Sequence, residues 1–305
     1  MLRPATRTLL LILAVLPGAC GDGPTGPGNP TQYPAVRIVT FGDSNTDYGF
    51  SSVSGSTIEA RSYVSNRLAG RLAPTAPNHP NQLAGLIEIR WAALDRSTIT
   101  AVNHGIGGTT SGGGEGGGSD RHPSGAPNAR AVVAGITRYE AEVLGKGYPW
   151  SGGETNATEF PDGSIVRVKS FQPEAHDFAY ISIGTNDPTS GLSAQQTIAN
   201  LTWIADTWLA EGLAADHLII TTLAPRAGSA SAAFPQINAA IRTLTAARGI
   251  RLIDLAAHTS SDDGLTWKSA DLHVGDGLHY TTAVRGWIAD QVVEHMSTVV
   301  KPVQS

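Results

Sequence analysis

An α/β fold, with a mostly parallel sheet covered by helices on both faces, is what this 305-residue sequence predicts. Three observations carry that expectation. Five short apolar runs rich in β-branched residues read as strands, helix-period stretches lie between them, and polar, glycine-bearing clusters follow directly after several of the runs. Strands separated by helices form right-handed βαβ units, which put helices on both sides of the sheet they build.

Taken in order, Ala35–Phe41 (AVRIVTF) is the first buried strand. Asn81–Leu94 follows as a helix, with Leu83, Leu86, Ile87 and Trp91 along one face. Ile99–Asn103 (ITAVN) is the second strand and Ala129–Leu144 a second helix. Phe178–Ile183, His217–Leu223 and Ile250–Leu255 complete the strands, separated by helices over Ala194–Glu211 and Pro235–Arg248 and closed by one over Thr282–Val299. Two segments break the alternation. Ser111–Asp120 (SGGGEGGGSD) is a low-complexity loop, and Tyr148–Ser170 is expected to form a small hairpin of its own. No internal repeat is present.

Composition narrows the function classes. With 41% hydrophobic and 15% charged residues the chain is not of the apolar-poor, highly charged type that stays disordered. A formal net charge of −5 offers no basic footprint for nucleic acid. A single cysteine excludes an internal disulfide and a Cys-based zinc site, and no His-Glu-x-x-His spacing suggests another metal.

Residues 1–19 read as a signal peptide: Arg3 and Arg7 lead, Leu9–Leu16 is apolar, and Gly18-Ala19 is a small-residue exit. The apolar run is far short of the roughly 18 residues that span a bilayer. Cys20 follows at once, an arrangement that resembles the lipobox of bacterial lipoproteins, although Pro17 departs from the usual pattern. The expectation is an exported protein anchored by lipid on Cys20, with membrane contact only through that lipid. The alternative is an ordinary signal peptide whose exit contains a cysteine. Residues 20–34 form a Gly/Pro-rich tether, and 35–300 the folded domain with an insertion at about 111–172.

In an open α/β sheet a ligand binds beyond the carboxyl ends of the strands, so the residues just after each run are the informative ones. Gly42-Asp43-Ser44-Asn45-Thr46 follows the first, Asn103-His104-Gly105-Ile106-Gly107-Gly108 belongs to the second, and Gly184-Thr185-Asn186-Asp187 follows the third. Asp276-Gly277-Leu278-His279 precedes the last helix. A serine hydroxyl becomes a nucleophile when an imidazole can take its proton, which makes Ser44 and His279 a candidate pair. Asp276, three residues before His279, is placed to fix its tautomer. The backbone N–H groups of Ser44 and Gly108 and the side-chain amide of Asn186 are candidate donors to an oxyanion.

The set resembles the SGNH hydrolases, also called GDSL-type esterases and lipases. Gly-Asp-Ser stands at 42–44, the Asn-x-x-x-x-Gly context at Asn103 and Gly108, Gly-x-Asn-Asp at 184–187, and Asp-x-x-His at 276–279. The resemblance spans about residues 35–300. It implies a flavodoxin-like three-layer α/β/α domain with strand order 2-1-3-4-5, no cofactor, and ester hydrolysis through an acyl-enzyme. It departs at Asn45, where the family usually has Leu, and in the length between Gly108 and Gly184. The expected function is a secreted serine ester hydrolase acting on short acyl esters, with carbohydrate O-acetyl groups as one class. A lipase, arylesterase or thioesterase is the alternative, and a non-catalytic carbohydrate-binding surface lipoprotein the third reading.

Other polar residues are expected to be structural. Asp271 and His273 lack the Asp-x-x-His order, His104 suits either packing beside the site or lining the pocket, and Asp43 and Asp187 suit bracing of loops. No Gly-x-Gly-x-x-Gly follows the first strand and no Gly-Lys-Ser/Thr follows the Gly105–Gly118 run, so nucleotide binding is not expected. Trp91, Trp203, Trp208 and Trp287 read as core, whereas Trp150 and Trp267 are loop aromatics able to stack on a sugar ring.

Overall fold

The computed structural model describes residues 32–50, 58–60, 78–105, 108–112, 157–159, 165–167 and 173–304. Its strands are β1 (Val36–Gly42), β2 (Gly49–Phe50), β3 (Ile58–Ala60), β4 (Ile99–Gly105), β5 (Ala157–Glu159), β6 (Ile165–Arg167), β7 (Asp177–Ser182), β8 (Leu218–Thr221) and β9 (Arg251–Ile253). Five of them form one sheet in the order β4-β1-β7-β8-β9, every pair parallel. Counted among the five, that is the expected 2-1-3-4-5.

Side chains alternate between two cores, as the pleat requires. Ile38, Phe178 and Tyr180 face one side, where α2 (Leu83–Ala92) and α6 (Thr282–Val299) supply Leu83, Ile87, Trp91, Val292 and Met296. Val39, Phe41 and Ile181 face the other, against Ile204 and Trp208 of α3 (Ala194–Ala210) and Phe234 and Ile241 of α4 (Phe234–Arg248). Burial on both faces explains why the central strands read as unbroken apolar runs. Helix ends follow their local chemistry. Ser193 and Gln196 form a reciprocal capping box on α3, and Gly249, at φ +69°, ends α4.

All five strands differ from expectation by one or two residues at one or both ends. The fourth run begins at Leu218 because Ala215–His217 forms a 3₁₀ turn. The fifth ends at Ile253 because the carboxylate of Asp254 accepts the N–H of Ala257 and starts the short helix α5 (Leu255–Thr259), removing Leu255 from the strand. The second runs two residues further, to Gly105, in full register with β1. Within 148–170, β5 and β6 pair antiparallel as the expected hairpin.

Cys20, the segment 1–19, the predicted helix 129–144, the loop from 113 to 120 and Trp150 lie outside the described residues. No helix among the described residues is long and apolar enough to cross a membrane.

Register decides where chemistry can occur. Gly42 lies opposite both Gly105 and Ser182, so β1, β4 and β7 end level with one another, and their following loops open on one rim of the sheet.

Candidate active site

The turn after β1 is held from every side. Asp43 caps the single-turn helix α1 (Ser44–Asp47), its carboxylate accepting the Asn45 N–H at 2.9 Å. Burial pushes the Asp43 carboxyl up to about 6, against the hydrogen bonds from Asn45 and Thr185 that favour its charge. A Cβ on Gly42 would stand 2.1 Å from Thr46 Oγ1 and 2.4 Å from the Ser182 carbonyl, so only glycine fits there. Asn103 braces α1 from β4: its Nδ2 donates to the Thr46 carbonyl at 3.1 Å, and its Oδ1 accepts from the Gly105 N–H at 2.9 Å.

Against this turn the chain brings a segment 235 residues away. His279 Nε2 lies 2.8 Å from Ser44 Oγ, and Nδ1 lies 2.5 Å from Asp276 Oδ2. An ionised carboxylate only accepts, so Nδ1 carries the proton and Nε2 offers a lone pair to the serine hydroxyl. Asp276 Oδ1 also accepts the N–H groups of Leu278 and His279, each at 2.9 Å. Burial opposes the Asp276 charge, but these bonds outweigh it and hold its carboxyl below the usual range. Burial pushes the His279 imidazole below its ordinary value, with Asp276 pulling the other way. The ring of Tyr48 packs 5.6 Å from that of His279.

The 276–279 turn has its own scaffold. Val274 donates to the His279 carbonyl and Thr281 to the Leu272 carbonyl, closing the loop at its base. His273 sits inside it, Nδ1 accepting from the Gly275 and Gly277 N–H groups at 3.1 and 3.0 Å. Trp267 donates its indole N–H to the Gly277 carbonyl at 3.1 Å and packs against His273 and Tyr280. These contacts fix the orientation of Trp267, whose side chain stays partly exposed. Asp271 lies in an exposed 3₁₀ turn.

The loops after β4 and β7 are stitched together. Asn186 Nδ2 donates to the carbonyl of Thr109, next to Gly108, which adopts φ +81°. Asp187, at 0% exposure, accepts from the Ser111 N–H, the Ser111 hydroxyl and the Thr197 hydroxyl, which makes it a brace between 111 and α3. Ser111 is therefore part of the framework although it opens the expected insertion. His104 is buried at the end of β4. Among the described residues no group of three His, Cys, Asp or Glu side chains could hold a metal ion.

Two residues beside the site were given no bonding role by sequence. Asn45 Oδ1 accepts the Tyr280 N–H at 2.9 Å, tying the residue after Ser44 to the residue after His279. Arg226 donates through Nη1 to Asn186 Oδ1 at 2.8 Å and to the Thr185 carbonyl at 3.0 Å. Arg226 follows the fourth strand at its carboxyl end, so the rule that drew attention to the other loops could have found it. The same rule places Asn45 in the cluster after the first strand, but nothing local marks it as a partner for residue 280.

A family model for the GDSL-like lipase/acylhydrolase matches residues 38–292. The chain superposes on the lipase/acylhydrolase from Enterococcus faecalis with a TM-score of 0.51 at 16% identity, covering 88% of this chain and 100% of that one. A carbohydrate acetylesterase from Sinorhizobium meliloti gives 0.52 at 12% identity, over 87% and 99% of the two chains. An aryl esterase from M. smegmatis gives 0.52 at 14% identity, over 86% and 99%. At these identities the likeness is one of fold. A search of the curated proteins finds no match to this chain.

Proposed function

The chain belongs to the GDSL-like lipase/acylhydrolase family of carboxylic ester hydrolases, and on that premise we propose that it cleaves short acyl esters through Ser44, His279 and Asp276. The observation that carries this reading is the 2.8 Å approach of His279 Nε2 to Ser44 Oγ. Ser44 Oγ attacks the ester carbonyl carbon as Nε2 takes the hydroxyl proton. The C–O bond to the alcohol then breaks and the imidazolium returns that proton to the departing oxygen, leaving an acyl-serine. Water, deprotonated by the same nitrogen, attacks the acyl carbon and releases the acid and Ser44. Asp276 keeps the proton on Nδ1 and stabilises the transient imidazolium. The N–H groups of Ser44 and Gly108 and the second N–H of the Asn186 amide are the donors proposed for the oxyanion.

For the substrate we favour short acyl groups on carbohydrate. The exposed Asp276 and half-exposed turn around it support an open site, and one protein of the same fold is named a carbohydrate acetylesterase. Aryl esters are the second reading, favoured by the aryl esterase fold match. Export with lipid on Cys20 remains a proposal resting on residues 3–20; Cys20→Ser should release the protein from the membrane fraction, and unchanged fractionation would count against it.

Ser44→Ala is expected to lower p-nitrophenyl acetate hydrolysis by about 10⁴-fold or more with unchanged thermal unfolding. Retained turnover would remove the mechanism. An acyl-chain series run beside acetylated xylan and aryl acetates separates the substrate readings.

A further inference from the structure

A primary amide can be turned either way round, and only its partners decide which end faces a ligand. Asn186 has two partners of opposite kind. The Thr109 carbonyl can only accept, so it holds Nδ2 at 3.0 Å; the Arg226 guanidinium can only donate, so it holds Oδ1 at 2.8 Å. Nη1 of Arg226 also donates to the carbonyl of Thr185, so the side chain is anchored to the backbone immediately before Asn186.

The backbone of Arg226 is itself fixed. Its N–H donates to Ser231 Oγ at 2.8 Å, and the buried Ser231 hydroxyl donates back to the Arg226 carbonyl. The next residue reaches the other half of the site: the Ala227 N–H donates to the Gly277 carbonyl at 2.8 Å, inside the Asp276–His279 turn. A Cβ on Gly277 would come 2.5 Å from that of Ala227, so the two backbones are in close contact. One dipeptide after β8 thus grips the loop after β7 with a side chain and the acid–base turn with a backbone N–H.

We propose that Arg226 is a positioning residue for acyl transfer, locking the Asn186 amide with its N–H end toward the oxyanion and setting it in register with His279 through Ala227. The proposal deepens the ester-hydrolase reading and rests on the oxyanion role given there to Asn186. Without the guanidinium, Oδ1 loses its donor, and of these two partners only the Thr109 carbonyl still opposes turning the amide oxygen toward the developing negative charge.

The test is a double-variant cycle on the full chain with p-nitrophenyl acetate. Asn186→Ala should lower kcat by about 10²-fold with little change in KM, as expected for one lost oxyanion donor. Arg226→Met should lower kcat by about tenfold or more, again with KM nearly unchanged, since a hydrogen bond to a charged group is worth that much in rate. If Arg226 acts through Asn186, Arg226→Met combined with Asn186→Ala should be no slower than Asn186→Ala alone. Arg226→Lys, which keeps the charge and a donor and serves also should Arg226→Met not fold, should retain more of kcat than Asn186→Ala does. Wild-type kcat in Arg226→Met, losses that multiply in the double variant, or Arg226→Lys as slow as Asn186→Ala would each overturn the proposal. Full kcat in Asn186→Ala would instead overturn the oxyanion assignment on which it rests.

Discussion

Residues 43–47, which carry the candidate nucleophile, are all buried, with Ser44 itself 5% exposed, whereas the Asp276 side chain keeps 43% of its surface and Gly275 stands in solvent. The first turn is placed by packing: Gly42 against β7, Asn103 from β4, Asn45 against Tyr280. The second is placed by its own backbone: glycines at φ +95° and +68°, His273 bonded to two N–H groups, and a carboxylate bonded to two more. The difference teaches where each half is vulnerable. Damage to the packed turn should reach the whole fold, because the same contacts close the sheet's rim. Damage to the bonded turn should stay local and appear in the rate.

The largest effect expected on the bonded turn is that of Asp276→Asn. Its geometry changes little but the amide no longer holds the proton on Nδ1, and kcat should fall about 10⁴-fold while thermal unfolding barely moves. A variant that unfolds early would mean this turn contributes to the fold as the other does. On the packed turn, Gly42→Ala should cost about 3 kcal/mol or more, because the methyl meets a backbone carbonyl that cannot move aside; a soluble variant with the wild-type unfolding temperature would break the contrast. Gly275→Ala is the matched change on the other side, where an added Cβ meets nothing within 4 Å. A left-handed backbone costs an alanine about 1–2 kcal/mol, and here the strain falls next to Asp276. About tenfold in kcat should be lost with an unfolding shift of only about two to eight degrees.

The smallest effect is titrational. Burial lowers the His279 pKa from its ordinary 6.5, so more than half of the imidazole is free base at pH 6.5 and its competence is lost as pH falls through the lowered value. Hydrolysis should therefore hold near pH 6.5 and decline by up to about tenfold per pH unit below its midpoint. An acid limb centred above 6.5 would mean that attraction to Asp276 outweighs burial, and that the bonded turn governs the base more than the packed one.

Much of this was legible before folding. The five apolar runs and the helices over Ala194–Ala210 and Thr282–Val299 stand where periodicity predicted them, because burial on one or two faces writes a repeat of fixed period into neighbouring residues. Gly42-Asp43-Ser44 and Asp276 to His279 could be read for the same reason, since a capping carboxylate or an i,i+3 acid–histidine pair is local chemistry. The short corrections at His217 and Leu255 came from local turns that compete with a strand pattern without changing its hydrophobicity.

What only the tertiary structure decided is which distant atoms meet. Trp267 read as a loop aromatic and proved to be bonded to Gly277; Asn45 looked like a tolerated departure and proved to join residue 280; Arg226 was one cation among many until it met Asn186 forty residues away. A hydrogen bond between loops depends on register, on the depth of each turn and on the packing of the strands beneath, and none of these leaves a periodic trace in the chain. Periodicity specified the sheet and local chemistry its turns, while the partners across the rim were set by how those turns close against one another.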